Sequence, residues 1–292
     1  MSLVSASGSY AVVFDDGPEE DVVYELPRAS VPVLNSFLFR FAGENNLNTV
    51  AVMPGGASED LTPESSVPFE RVPEDRVRVN FRDRDMGDLT KDPYRFAVRH
   101  APFSYRDATR FQIRESRCVG SCRRNVLSLI PSLSLGTGAV PSPILALCGF
   151  RLAFPQGEDH EIGTVAVVLD ENGDLEVALN DRQKNHPFKY VVDFARISSV
   201  GLNVKLGKSS GRDEFHQHGR VPMSGSSTFL LRGFRLAYVQ PGDQGTMVDR
   251  KILQLGVMQV DDEVHVRFRD GDGLEEVEWT VSWGIIEAQS IQ

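Results

Sequence analysis

The chain has 292 residues, a formal net charge of −10, 41% hydrophobic residues and 25% charged residues. This is ordinary globular composition with length for two or three cores. The acidic balance argues against a surface that tracks phosphates, and no apolar run approaches the roughly 18 residues of a membrane span, so neither nucleic acid nor a membrane span is expected.

The opening stretch, MSLVSASGSYAVVFDD, has no basic n-region and too little apolar core for a signal peptide. Cytoplasmic synthesis is expected, with later release or association with a particle left open. Strand-like sequence follows in SYAVVFDD and DVVYEL, separated by a turn at Asp16-Gly17-Pro18. Phe37, Phe39 and Phe41 then alternate with other residues at the period of a strand. After a polar break come Leu47 and TVAVM, and a further strand that closes on Phe81-Arg82-Asp83. The stretch between, Gly55 to Glu74, is rich in Pro, Ser and Glu and reads as an insertion. Tyr94, Phe96 and Val98 form one more alternating run.

The same order of features recurs twice. Phe150, Leu152 and Phe154 precede Ile162 with TVAVV, then Leu179-Asn180-Asp181, then Phe188, Tyr190 and Val192. Phe234, Leu236 and Tyr238 precede Ile252 with QLGVM, then Phe268-Arg269-Asp270, then Val277, Trp279 and Val281. An Asp closes the same strand each time, as suits a turn former that bonds its own downstream backbone. Frequent strands punctuated by Gly, Pro, Asn and Asp favour a sandwich or barrel over helices. The expected fold is all-β: three tandem antiparallel β-sandwich repeats over 1–110 (with the insertion), 111–200 and 201–292, arranged with a possible pseudo-threefold axis.

Other segments carry separate expectations. SRCVGSCRRNVLSLI has room for a short helix. Within it Cys118 and Cys122 are flanked by Arg117, Arg123 and Arg124, and three readings stay open: a small disulfide loop, a metal site with distant partners, or two loop thiols. Cys148, inside ILALCGF, is expected in the core. Asp170 to Asp174 reads as a hairpin turn around Asn172-Gly173. Gly207 to Ser227 is polar and Gly-rich and is expected as an exposed loop. Within it, His216 and His218 alternate but lack the further ligands a zinc site needs. Gly207-Lys208-Ser209 misses the spacing of a phosphate-binding loop, and neither GxSxG nor HExxH occurs. Asp270, Gly271, Asp272 and Gly273 are oxygen-rich, yet the EF-hand pattern is absent.

The block from Val266 to Ile286, VRFRDGDGLEEVEWTVSWGII, and the block from Gly157 to Leu169, GEDHEIGTVAVVL, resemble the H-type lectin domain of snail agglutinins and the discoidin C-terminal domain. Trp279 and Trp283 stand where that family ends in a Trp-containing strand. The resemblance implies a small β-sandwich, sugar binding and assembly into trimers, which three units in one chain would imitate. A sugar site needs carboxylates and amides for hydroxyl groups, with an aromatic face nearby. Asp159, His160, Asn180, Asp181 and Arg182 are the candidate ligand-binding residues. The expected function is therefore non-catalytic, lectin-like recognition of a carbohydrate or surface glycan, without cofactor, metal or catalytic residue. A homo-oligomer or particle partners are expected. The alternative is a structural subunit of a larger particle, such as a phage tail or injection device.

Overall fold

A computed structural model describes residues 8–9, 13–14, 22–25, 30–45, 47–54, 76–83, 94–126, 128, 143–154, 160, 162–181, 186–213, 218–239, 252–270 and 276–288. The insertion at 55–74 lies outside them, as do Asp159, Arg182, His216 and the stretch 271–275 with Asp272. Among the described residues the chain is strand and turn, with no α-helix. The all-β expectation holds.

In the first segment the strands are β1 (Gly8–Ser9), β2 (Val13–Phe14), β3 (Val22–Glu25), β4 (Ser30–Asn45), β5 (Leu47–Pro54), β6 (Arg76–Asp83) and β7 (Tyr94–Ser104). The second segment holds β8 (Ala108–Val119), β9 (Ser121–Asn125), β10 (Ile144–Ala153), β11 (Ile162–Leu169), β12 (Asp174–Asp181) and β13 (Pro187–Ile197). The third holds β14 (Leu202–Asp213), β15 (His218–Arg220), β16 (Thr228–Tyr238), β17 (Ile252–Val260), β18 (Glu263–Asp270) and β19 (Val277–Ala288).

These strands form three antiparallel sheets. One runs β1-β7-β4-β17-β18-β15, with β2 also on β7; the second runs β3-β6-β5-β10-β13-β8; the third runs β14-β19-β16-β11-β12-β9. The first sheet joins β1, β2, β4 and β7 of the first segment to β15, β17 and β18 of the third; the second joins β8, β10 and β13 of the second segment to β3, β5 and β6 of the first; the third joins β14, β16 and β19 of the third segment to β9, β11 and β12 of the second. The three orders are related by cyclic exchange of the segments. The boundary expected at 110 falls inside β8 and the one at 200 falls between β13 and β14. The segments interleave across both.

Registers agree with the aligned apolar positions. Phe37 lies opposite Val98, Phe150 opposite Val192 and Phe234 opposite Val281. Leu47 pairs with Asp83, Ile162 with Asp181 and Ile252 with Asp270. Bulges recur as well. The pairing shifts between Leu34 and Ser36, between Leu147 and Gly149, and between Leu231 and Gly233, leaving Asn35, Cys148 and Arg232 as the extra residues. An extra residue in a strand reverses which side chains face inward. Upstream of the bulge, Leu145 and Leu147 face the main core while Ile144, Ala146 and Cys148 join a second cluster on the other face. Downstream, Phe150 and Leu152 face the main core.

That main core is one cluster with members from all three sheets. At its centre Phe37, Phe150 and Phe234 meet, with ring centroids 5.1, 4.9 and 5.2 Å apart. Tilted and edge-on contacts of this kind set the negative ring face against a positive edge.

Two expectations are corrected. Of the stretch from Gly207 to Ser227, 207–213 and 218–220 are strand, not loop, as the end of β14 and as β15; Val221 to Ser227 is loop as expected, and 214–217 lie outside the described residues. The glycines of β14 explain the misreading. Gly207 lies opposite Trp283 and Gly211 opposite Trp279, and a Cβ at either would fall within 2.4 and 2.9 Å of the indole. The polar strand leaves space for two tryptophans, and Ser209 Oγ accepts a hydrogen bond of 3.0 Å from Trp283 Nε1. Of SRCVGSCRRNVLSLI, where a short helix is expected, Ser116 to Asn125 are instead the end of β8, a turn at Gly120 (φ 67°) closed by the Cys118–Cys122 disulfide, and β9, while Leu127, Leu129 and Ile130 lie outside the described residues. Strand pairing at both ends overrides local propensity. By contrast, the Asn172-Gly173 turn forms as read, with Gly173 at φ 78° and Asp170 Oδ1 accepting the Asn172 and Asp174 backbone N–H groups at 2.8 Å.

Replacing Phe37, Phe150 or Phe234 by Ala removes a ring from a shared contact and is expected to cost about 3–5 kcal/mol each. Because the rings touch, a double replacement should depart from additivity by more than about 0.5 kcal/mol in urea unfolding. Additive losses would show that the three rings are energetically separate. Reducing the Cys118–Cys122 loop is expected to lower stability by about 2 kcal/mol, from the chain-entropy relation for so short a loop, measured as a shift in the urea midpoint with unchanged slope.

Candidate functional site

Four of the chain's crossings between sheets occur in the second segment, three of them as follows. The disulfide turn carries β8 of one sheet into β9 of another. The segment after Phe154 carries β10 into β11, and the segment after Asp181 carries β12 back into β13. The last two crossings bring together His160, Asp181 and His186. His160 Nδ1 lies 2.9 Å from Asp181 Oδ2, and His186 Nδ1 lies 3.0 Å from the same oxygen. The two imidazole nitrogens are 3.3 Å apart. Phe154 stacks on the His160 ring at a centroid distance of 3.8 Å, which fixes the plane of that imidazole.

Of the five residues expected to bind ligand, the structure joins two. His160 is 3% exposed and Asp181 4% exposed, so both face each other and not solvent. Asn180 is exposed on the neighbouring position of β12. Asp159 and Arg182 lie outside the described residues; by sequence each adjoins one of the buried pair. Sequence reasoning missed His186. Its signal was available: an imidazole five residues beyond Asp181, just before Pro187 and the alternating Phe188-Tyr190 run. Spacing alone does not show that the two crossings meet.

A second polar group is buried deeper. Asp193 of β13 is fully enclosed and receives the Arg110 guanidinium bidentately, through Nε at 2.9 Å to Oδ1 and Nη2 to Oδ2, together with the Gln112 amide at 3.0 Å. Arg110 Nη2 also donates to the Pro54 carbonyl at 2.7 Å. Burial pushes the Asp193 carboxyl up, and Arg110 and Gln112 pull it back. Such a pair is costly to desolvate and costlier to break. Cys148 is buried as expected, and burial holds its thiol far above the reactive range. Nearby, His100 Nε2 donates to the Cys148 carbonyl at 3.1 Å. Burial drives the His100 pKa down to about 4, against the pull of that hydrogen bond. The Arg110–Asp193 network ties strands β5, β8 and β13 of one sheet, and the His100 bond to Cys148 bridges two sheets.

Elsewhere, His218 of β15 sits across from His265 of β18, with ring centroids 5.7 Å apart. Both approach Glu263 Oε2, His218 Nδ1 at 3.4 Å and His265 Nε2 at 3.2 Å. This group is open to solvent. No helix among the described residues is long and apolar enough to cross a membrane. No protein-family model matches the chain, and no curated protein matches its sequence.

His100 makes the fold acid-sensitive. The unfolded chain takes up a proton near pH 6.5, whereas the folded chain resists until about 4. The unfolded state therefore binds more protons in that window, and stability falls as pH drops through it. The expected loss between pH 6.5 and 4 is on the order of 3 kcal/mol. His100→Gln, which keeps a donor for the Cys148 carbonyl without titrating, should flatten this part of the urea-unfolding profile.

Proposed function

We propose that the protein is a non-catalytic recognition module of the lectin type, which binds a carbohydrate or surface glycan through the crossing segments of its second segment and works within a multimer. The observation that supports this is the division of labour in the candidate residues. His160 and Asp181 are buried and bonded to each other, so they anchor the crossings. Asn180 is exposed, and Asp159 and Arg182 adjoin the anchors in sequence. Carboxylate, amide and guanidinium groups, which Asp159, Asn180 and Arg182 supply, are the equipment for hydrogen-bonding hydroxyl groups. The aromatic partner nearest the anchors, Phe154, is engaged with His160, so affinity in this reading comes from polar contacts. The reading also takes the three segments as descendants of one duplicated six-strand block; the cyclic strand order and the recurrent bulges support it.

A glycan array with wild-type protein and with Asp159→Ala and Arg182→Ala tests the proposal. Each lost charge-assisted hydrogen bond is worth about 1.5–3 kcal/mol, so each variant should bind about 10–100-fold more weakly while unfolding at the wild-type urea concentration. A silent array, with sedimentation as a large defined particle, would replace the lectin reading with that of a structural subunit.

A further inference from the structure

We infer that His160, Asp181 and His186 form a binding site for one divalent transition ion of the zinc type, which clamps two sheets together at their seam. This goes beyond the recognition reading and does not depend on it. The argument begins with distance. Zinc sits about 2.0–2.1 Å from imidazole nitrogen and about 2.0–2.2 Å from carboxylate oxygen. Ligand atoms around such an ion therefore lie about 3.0 Å apart at an octahedral right angle and about 3.4 Å apart at a tetrahedral one. His160 Nδ1, Asp181 Oδ2 and His186 Nδ1 are separated by 2.9, 3.0 and 3.3 Å. Their donor atoms thus form a triangle of the right size, with the same ring nitrogen used by both histidines.

The composition of the triangle selects the ion. Two imidazoles and one carboxylate suit zinc and its neighbours, whereas calcium and magnesium call for oxygen ligands throughout. The Phe154 ring, stacked at 3.8 Å, holds the His160 imidazole in place without competing for a nitrogen. His186 is 22% exposed at its side chain while Asp181 is 1% exposed, so an ion has an entry side and a buried floor. Three protein ligands leave a coordination position for water.

The fold itself does not ask for these histidines. Asp83 and Asp270 occupy the register of Asp181 in the other two segments. There, the positions two residues before the anchoring Leu47 and Ile252 are Asn45 and Arg250, where the second segment has His160. Two residues before Tyr94 and Val277 stand Asp92 and Glu275, where the second segment has His186 before Phe188. A closing Asp is common to all three crossings, whereas the imidazole pair belongs to one. The Cys118–Cys122 turn crosses between the same two sheets, so a metal and a disulfide would fasten one seam.

The test uses the full chain, stripped with a chelator and titrated with zinc alone by calorimetry, with cobalt as a spectroscopic reporter. One equivalent per chain is expected, with d–d absorption from bound cobalt and a zinc-dependent rise in melting temperature. Losing an outer-shell partner of a metal site already costs about 10–100-fold in affinity, so His186→Gln, which removes a direct and partly exposed ligand, should cost at least about 100-fold. His160→Gln should do the same; because that residue is buried, its folded state is checked by urea unfolding first, and His186→Gln decides if it fails to fold. His218→Gln, at the exposed His218–Glu263–His265 group, should leave binding unchanged. Substoichiometric binding, binding indifferent to His186→Gln, or binding abolished by His218→Gln would each overturn the assignment. The readout contains no glycan, so its failure leaves the recognition proposal to stand or fall on the array.

Discussion

The contact among Phe37, Phe150 and Phe234 is the constraint on which the architecture depends. Three sheets that each take strands from two segments need a place where all of them close, and these rings fill it. Each ring lies just downstream of a bulge that turns its strand's apolar parity toward the shared core. Without the bulges, strands as long as β4 would carry their inward side chains to the wrong face over half their length. A single aromatic meeting point and the recurrent register shifts are therefore one device.

Interleaving also places the polar chemistry. Because each segment divides its strands between two sheets, every crossing passes a seam. The seam of the second segment collects the Cys118–Cys122 bond, the His160–Asp181–His186 group and the exposed Asn180. Deeper in, the Arg110–Asp193 pair and the His100 hydrogen bond to Cys148 satisfy buried polar groups. Buried away from water, these arrangements are costly when half complete and specific when complete.

The tryptophan strand shows how burial and sequence polarity part company. From Gly207 onward β14 is built from Gly, Lys, Ser, Arg and Asp and has the composition of a loop. It is held as an edge strand by pairing with β19 along its whole length and by indole rings that occupy the space its glycines leave. Propensity measures what a residue prefers alone, and here cross-strand partners outweigh it.

The sequence by itself determined the all-β class, the apolar-alternating strands with their aligned positions and the Asp that closes each of three of them, because alternation is a local pattern and a buried face imposes it at every second residue. It also pointed to His160 and Asp181 as neighbours of a polar break. Only the tertiary structure decided that sheets are shared between segments, that Gly207 to Asp213 is strand, that Cys118 and Cys122 pair, and that His186 joins the other two side chains. Those outcomes rest on which chain crossings meet in space, and a meeting between residues 21 or 26 positions apart leaves no periodic trace in the order of the amino acids.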